Sequence, residues 1–478
     1  MTALLSDLHF ALPQMAVLCT AVLALLCDLF CPPKTQAPFY VACVGLIVAA
    51  SASILCSGYA QHLILNGALL MDDVSALMNM FMALTVLLAF IYAKPYLTTS
   101  KMPAGDFYVL ALFATTGMMT LASSHTLLMM YLSIELLSLP LYALTAMQRK
   151  DARSSEAALK YFVMGGIASG MLLYGISLLY GATGQLEFSA IHTAIQEDAS
   201  AYQHLIAFSL VFIIAGIAFK LAVIPFHMWA PDVYDGAPLP AVLLVSSAPK
   251  IAVIVLLIRL LSVSFIDLIQ TWQTMLLILA LLSAGLGNVL AIAQTNLKRL
   301  FAYSAISHMG YVLLGVFVGT SAGFAAALYY VVIYALTVVA AFGLIIILSR
   351  QGHEIVEIDD LQGLNRRNPW LAFLMMIVLF SMAGVPPTVG FFTKLFVLKA
   401  LVDSQFVWVA ALGLVFAVIG AYYYLYVIKV MYFVAPSNET RVRISKGMNF
   451  VFSLNSLSLL YLGIFPGTLI SACLNALL

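Results

Sequence analysis

Four charged residues stand where the chain is otherwise most apolar: Glu135, Lys220, Lys250 and Lys394. Each lies inside an apolar run of about 20 residues or more, the length that crosses a bilayer as a helix. A charge at mid-bilayer costs about 2.5–3.5 kcal/mol even on a lenient insertion scale, so four unpaired charges would cost about 10 kcal/mol. One glutamate cannot pair three lysines. Lysine changes its protonation state readily when it loses water. Groups of this kind can load and release protons, and they are expected to face a bundle interior along an ion path. The competing reading is a set of buried ion pairs that only fixes helix packing.

The local sequence favours a path. Lys220 stands in Phe219-Lys220-Leu221-Ala222-Val223-Ile224-Pro225-Phe226-His227-Met228-Trp229. Pro225 removes a backbone donor and clashes with the preceding turn, so that helix must break. Lys394 closes Ala383-Gly384-Val385-Pro386-Pro387-Thr388-Val389-Gly390-Phe391-Phe392-Thr393-Lys394, where two prolines between glycines force another break. Interrupted helices at matching places in two halves point to a transport site. His227 follows Lys220 by seven residues and His308 follows Lys298 by ten. An imidazole there can relay protons near neutral pH, or serve packing alone. His9, His62, His125, His192, His204 and His353 fall at helix ends or in connections and are expected to be solvated.

Positioning these residues requires helices throughout. The chain has 478 residues, 64% of them hydrophobic and 9% charged, with a formal net charge of +1. This excludes a disordered chain, a nucleic-acid-binding protein and an ordinary soluble enzyme. Fourteen apolar runs are expected to be transmembrane helices, near 10–30, 38–58, 74–94, 106–121, 126–147, 156–181, 203–229, 239–264, 270–294, 298–319, 322–349, 369–403, 405–433 and 447–470. Fifteen basic residues, among them Lys34, Lys101, Arg350, Arg441 and Arg443, fall at odd-numbered connections. Only Arg259 and Lys399 fall at even ones, and Lys429 can snorkel from the thirteenth span. The positive-inside rule then puts the odd connections in the cytoplasm and both termini outside.

The spans group as 1–100 (helices 1–3), 101–265 (helices 4–8), 266–435 (helices 9–13) and 436–478 (helix 14). A faint likeness of Leu159-Lys160-Tyr161-Phe162 to Leu297-Lys298-Arg299-Leu300-Phe301 suggests two five-helix units, the second inverted because five is odd. Six cysteines show no Cys-x-x-Cys spacing, so no metal or cluster site is expected. No basic residue precedes Lys34, so a cleaved signal peptide is not expected. Gly166 and Gly170 form a GxxxG expected to serve close helix packing, and no dinucleotide motif is present.

Two stretches carry a family resemblance. Pro225-Phe226-His227-Met228-Trp229-Ala230-Pro231-Asp232-Val233-Tyr234-Asp235-Gly236-Ala237-Pro238 resembles the hallmark of the antiporter-like subunits of respiratory complex I. So does Leu297-Lys298-Arg299-Leu300-Phe301-Ala302-Tyr303-Ser304-Ala305-Ile306-Ser307-His308-Met309-Gly310-Tyr311. The resemblance covers the whole chain, and Lys394 with the Val233–Pro238 form narrows it to one branch.

The resemblance implies an all-α polytopic fold with two inverted five-helix repeats and discontinuous helices 7 and 12. It implies a proton relay in which Glu135 pairs with Lys220, Lys250 connects two half-channels and Lys394 ends the second half. Lys160 would lie near the cytoplasmic opening, with His227 and His308 on the connecting hydrated axis. The second half has no counterpart of Glu135, Asn288 being the nearest polar residue. The implied partners are other membrane-arm subunits, including neighbouring antiporter-like subunits, and membrane lipids. The implied site is a bacterial inner membrane. FMN, iron–sulfur clusters and quinone would belong to other subunits, with none in this chain. A monovalent cation/proton antiporter shares these motifs and is the alternative; a passive structural subunit is the second.

Overall fold

The computed structural model describes residues 9–32, 35–58, 61–100, 102–349, 354–436 and 444–477, without the side chains of 198–201. Lys34, Lys101, Arg350, His353, Arg441, Arg443 and the outermost residues of both termini lie outside the described residues.

The chain begins with α1 (Leu12–Phe30) and α2 (Ala37–Leu55). A short antiparallel hairpin follows, β1 (His62–Ile64) and β2 (Leu69–Met71), a feature the hydropathy pattern did not announce. Then come α3 (Asp73–Thr99), α4 (Ala104–Ala122), α5 (Leu127–Thr145), α6 (Ala152–Thr183) and α7 (Phe188–Leu221). The next elements are α8 (Trp229–Gly236), α9 (Leu239–Ser246), α10 (Ala248–Arg259), α11 (Ile269–Ile292), α12 (Leu297–Phe317) and α13 (Ser321–Leu348). The series closes with α14 (Leu364–Arg367), α15 (Pro369–Ala383), α16 (Val389–Asp403), α17 (Val407–Phe433), α18 (Lys446–Ile464) and α19 (Gly467–Leu477).

Thirteen of these helical stretches are long and apolar enough to cross a membrane. The twelfth expected span is divided into α15 and α16, each too short alone. Gly384 ends α15 in the left-handed conformation at φ 84°, and a Cβ on Gly390 would overlap the Ser381 carbonyl. The seventh span also breaks, with Ala222 left-handed after Leu221 and α8 beginning at Trp229. Both breaks contain a cis proline peptide, Ile224–Pro225 and Pro386–Pro387.

The eighth span was expected to be continuous and is not. Ser247, at φ −115° and ψ −99°, separates α9 from α10, with Pro249 in the first turn of the new helix. Proline is well placed there because its missing N–H would have had no helical partner. Lys250 therefore sits beside a helix start rather than in mid-helix.

The layers run from a buried centre to an apolar outside. Residues 239–261 are wholly buried, whereas the most apolar 18 residues of Leu12–Phe30 and of Val407–Phe433 are each only 33% buried. Large exposed side chains such as Leu29, Val418 and Phe433 are apolar, as a lipid-facing surface requires. Gly166 and Gly170 lie on this outer face with nothing of this chain against them, so their GxxxG packs no helix here. Gly165 instead faces inward, where a Cβ would meet the Tyr142 hydroxyl.

One hydrogen-bond pattern occurs twice, shifted by 170 residues. Leu127 N–H donates to Leu186 C=O at 2.8 Å, and Leu297 N–H donates to Val356 C=O at 2.8 Å. Phe188 N–H donates to His125 C=O, and Ile358 N–H donates to Thr295 C=O. The bridges Thr126–Glu187 and Asn296–Glu357 match in the same way. Thr126 and Asn296 each cap the helix that follows. The start of α5 thus corresponds to the start of α12. The likeness between Leu159–Phe162 and Leu297–Phe301 is not a repeat correspondence. His125 is buried at this junction rather than solvated, 3.2 Å from Glu187.

Candidate functional site

The four intramembrane charges fall into two groups. In the first, Glu135, Ser138 and Tyr142 share one face of α5 at spacings of three and four. Ser169 of α6 donates to Glu135 Oε1 at 2.5 Å. Lys220, in the last turn of α7, donates to Ser138 Oγ at 2.7 Å and to the Tyr142 hydroxyl at 3.2 Å. Glu135 and Lys220 make no direct ion pair: each is held by hydroxyls, with Ser138 between them on α5. The pair is seen apart, not closed.

The second group runs from Lys250 to Lys394 through α13. Lys250 is 1% exposed and donates to the Tyr334 hydroxyl at 3.2 Å, its Nζ 4.8 Å from that ring's centre. Tyr330 lies one turn away on the same face and is hydrogen-bonded to His308 Nδ1 at 2.8 Å. His308 Nε2 lies 3.0 Å from the Tyr424 hydroxyl, which also bonds Ser304. The Thr393 hydroxyl donates to the Gly390 carbonyl at 2.7 Å, and its neighbour Lys394 donates to the Ala383 carbonyl at 2.8 Å. Ala383 is the last residue of α15, so the ammonium stands at the negative end of that half-helix.

A cavity of about 10 Å³ lies among His308, Tyr330, Tyr334, Ser381 and Thr393. That is about the size one water needs. The Ser381 hydroxyl is buried there without a protein partner, so the cavity has polar groups to hold one.

Other expected residues are placed differently. Lys160 is 43% exposed and pairs with Glu156 and Asp232, both at 2.9 Å. Asp232 also meets Arg299 at 3.2 Å, so Lys160 belongs to a surface cluster. His227 is half-buried in the loop between α7 and α8, its Nδ1 unbonded, and does not join the row that holds His308. Asn288 donates to the Phe416 carbonyl and accepts from Tyr423. Asn288 precedes α12, whereas the 170-residue shift pairs Glu135 with Ala305.

Two ion pairs escaped the sequence reading. Arg259, counted there as a connection residue, is buried against Asp72 at 2.5 Å and donates through Nε to the Ala122 carbonyl. Lys298 is buried and pairs with Glu354 at 2.9 Å, while Glu354 accepts from Tyr96.

Known proteins resemble this chain in sequence and fold. Residues 124–420 match the family described as NADH:quinone oxidoreductase/Mrp antiporter, TM. The NADH-quinone oxidoreductase subunit N of Thioalkalivibrio sulfidiphilus is 45% identical over the full length of both chains. That of Coxiella burnetii is 47% identical over 96% of each. This chain belongs to the NADH-quinone oxidoreductase subunit N family. Respiratory complex I of Thermus thermophilus contains a chain that superimposes with a TM-score of 0.82 at 30% identity, over 96% of this chain and 98% of that one. A chain of the Mrp complex from Dietzia superimposes with a TM-score of 0.87, but at 20% identity it speaks for the fold alone. The branch that the Val233–Pro238 form singled out is therefore subunit N. Among the described residues, no cluster of three metal-ligating side chains accompanies it.

Proposed function

We propose that this subunit carries protons along the row Glu135, Lys220, Lys250 and Lys394 within the membrane arm of complex I. The observation that carries the reading is the second group. Two buried lysines without an acid partner stand at either side of Tyr334, Tyr330, His308 and Thr393, which line a water-sized cavity. A packing device would pair its charges, since an unpaired buried charge is costly. A relay needs groups that can be charged or neutral in turn, with hydroxyls between them.

Glu135 acts as the switch. When it closes on Lys220 it favours the ammonium, because an opposite charge stabilises the ionised form. When it opens, as here, Lys220 is left to neutral hydroxyls and its proton can move on toward Lys250. Lys160, in its surface cluster, lies near the cytoplasmic opening; His308 holds the row and His227 lies beside the broken helix. The basic connections face the cytoplasm and both termini face the periplasm. Residues 101–265 and 266–435 form the two inverted units, which the doubled hydrogen-bond pattern supports. The driving free energy comes from quinone reduction elsewhere in the complex, with FMN and iron–sulfur clusters in other subunits.

Glu135→Gln keeps the hydrogen bond to Ser169 and removes the charge. In closed membrane vesicles oxidising NADH, the assembled variant complex is expected to move fewer protons per NADH. A wild-type ratio would remove Glu135 from the mechanism.

A further inference from the structure

The two serines that keep Glu135 and Lys220 apart are not equivalent. Ser138 donates its one hydroxyl hydrogen to the Ile134 carbonyl of its own helix at 2.5 Å, so toward Lys220 it can only accept. It is a seat for the ammonium. A buried serine inside a helix commonly turns its hydrogen back in this way. Ser169, 7% exposed, instead sends its hydrogen across from α6 to Glu135 Oε1 on α5 at 2.5 Å. Ser169 and Lys220 ride on one closely packed pair of helices. A Cβ on Gly175 of α6 would stand 2.8 Å from the Ser209 carbonyl oxygen of α7, and one on Gly216 of α7 would stand 3.2 Å from the Ala168 carbonyl oxygen. Ala168 adjoins Ser169, and Gly216 is one turn before Lys220. The two backbones thus fix the separation of Ser169 and Lys220, and the Glu135 carboxylate on the facing helix can bond either one.

We propose that Ser169 is a positioning residue, a latch that competes with Lys220 for the Glu135 carboxylate and holds the pair open. The inference rests on the relay reading above and names what sets its switch. With the latch bonded, Lys220 has only Ser138 and Tyr142. With the latch released, Glu135 is free to close on Lys220. One hydrogen bond to a charged group shifts such a balance about tenfold or more. No O–H bond breaks at Ser169: its hydrogen stays on its oxygen and only loses or regains an acceptor. Ser169 therefore acts through Glu135 and stands outside the proton row.

The test uses the assembled complex in closed vesicles and reads protons moved per NADH, a ratio that a lower yield of complex does not enter. Ser169→Ala removes the donor, and Ser169→Thr keeps it. The ratio is expected to fall in Ser169→Ala toward that of Glu135→Gln and to stay near the wild type in Ser169→Thr. Ser169→Ala combined with Glu135→Gln is expected to pump no less than Glu135→Gln alone, because the latch then has no charge to release. A wild-type ratio in Ser169→Ala with a lowered ratio in Glu135→Gln would overturn the latch and leave the relay standing. Equal losses in Ser169→Ala and Ser169→Thr, with a further loss in the double variant, would also overturn the latch, since they mark a packing role. Wild-type ratios in both Ser169→Ala and Glu135→Gln would overturn latch and switch together.

Discussion

A complex carrying Lys250→Met is expected to assemble normally and to stop moving protons through this subunit. The substitution keeps an unbranched chain of similar length in a site that is 1% exposed. Lys250 has no carboxylate partner, so no opposite charge is orphaned when it is removed. Its one hydrogen bond, to the Tyr334 hydroxyl, is worth about 1 kcal/mol. Removing the lysine also relieves the cost of a buried charge, so the subunit's stability should hold or rise. Transport should respond in the opposite direction. A positioned proton-transfer group commonly contributes about 10²–10⁴-fold, and flux along this row should fall by an amount of that order. Unchanged thermal stability with lost pumping is a combination that a packing role does not produce. Melting of the purified complex and NADH-driven acidification of closed vesicles read the two effects separately.

Asp72→Ala is expected to have the largest effect on stability. Asp72 caps α3 through the Ser75 N–H and also holds the buried Arg259, which reaches across to the Ala122 carbonyl. Removing one partner of a buried ion pair costs about 3–5 kcal/mol, because the other charge is left without compensation. Loss of the cap adds about 1 kcal/mol. Pumping chemistry is untouched, so the defect should appear as less assembled complex and a lower melting temperature, with a normal proton-to-NADH ratio in what remains. Replacing both Asp72 and Arg259 by apolar residues should recover most of the loss, since it removes both charges together. A double variant as unstable as Asp72→Ala would mean that the pair contributes through something other than mutual charge compensation.

The four mid-membrane charges were legible because of their expense: depth in an apolar run can be read from sequence alone. The breaks at Pro225 and at Pro386–Pro387 were legible for a similar reason, since proline in mid-helix has few outcomes. The break at Ser247 was not. Pro249 there begins a helix, and a proline in the first turn leaves little trace in a hydropathy profile. Position along a span also gives depth without direction. Lys298 stands at a cytoplasmic connection by its place in the sequence, yet it is buried against Glu354. Lys160, at a similar depth, is half exposed. His227 and His308 look alike in sequence; only the fold sends one beside a broken helix and the other between Tyr330 and Tyr424.

Contacts between distant segments were the least accessible. Asp72 and Arg259 are 187 residues apart, and nothing in either local sequence names the other. The hydroxyls of Tyr330 and Tyr334 were hidden in an apolar run, where aromatic residues usually serve packing. Their spacing of four is what places them on one face of α13 between two lysines. The family resemblance implies roles for the lysines, but it does not announce the tyrosine hydroxyls that stand between Lys250 and His308.

If unpaired lysines in this row move protons, removing them must change pumping. The deciding measurement is one ratio, protons translocated per NADH oxidised, in closed vesicles of assembled complex carrying Lys220→Met, Lys250→Met and Lys394→Met together. The expected ratio lies below that of the wild type, with NADH oxidation still coupled to quinone reduction. A wild-type ratio in the triple variant would contradict it and leave the buried charges a structural role.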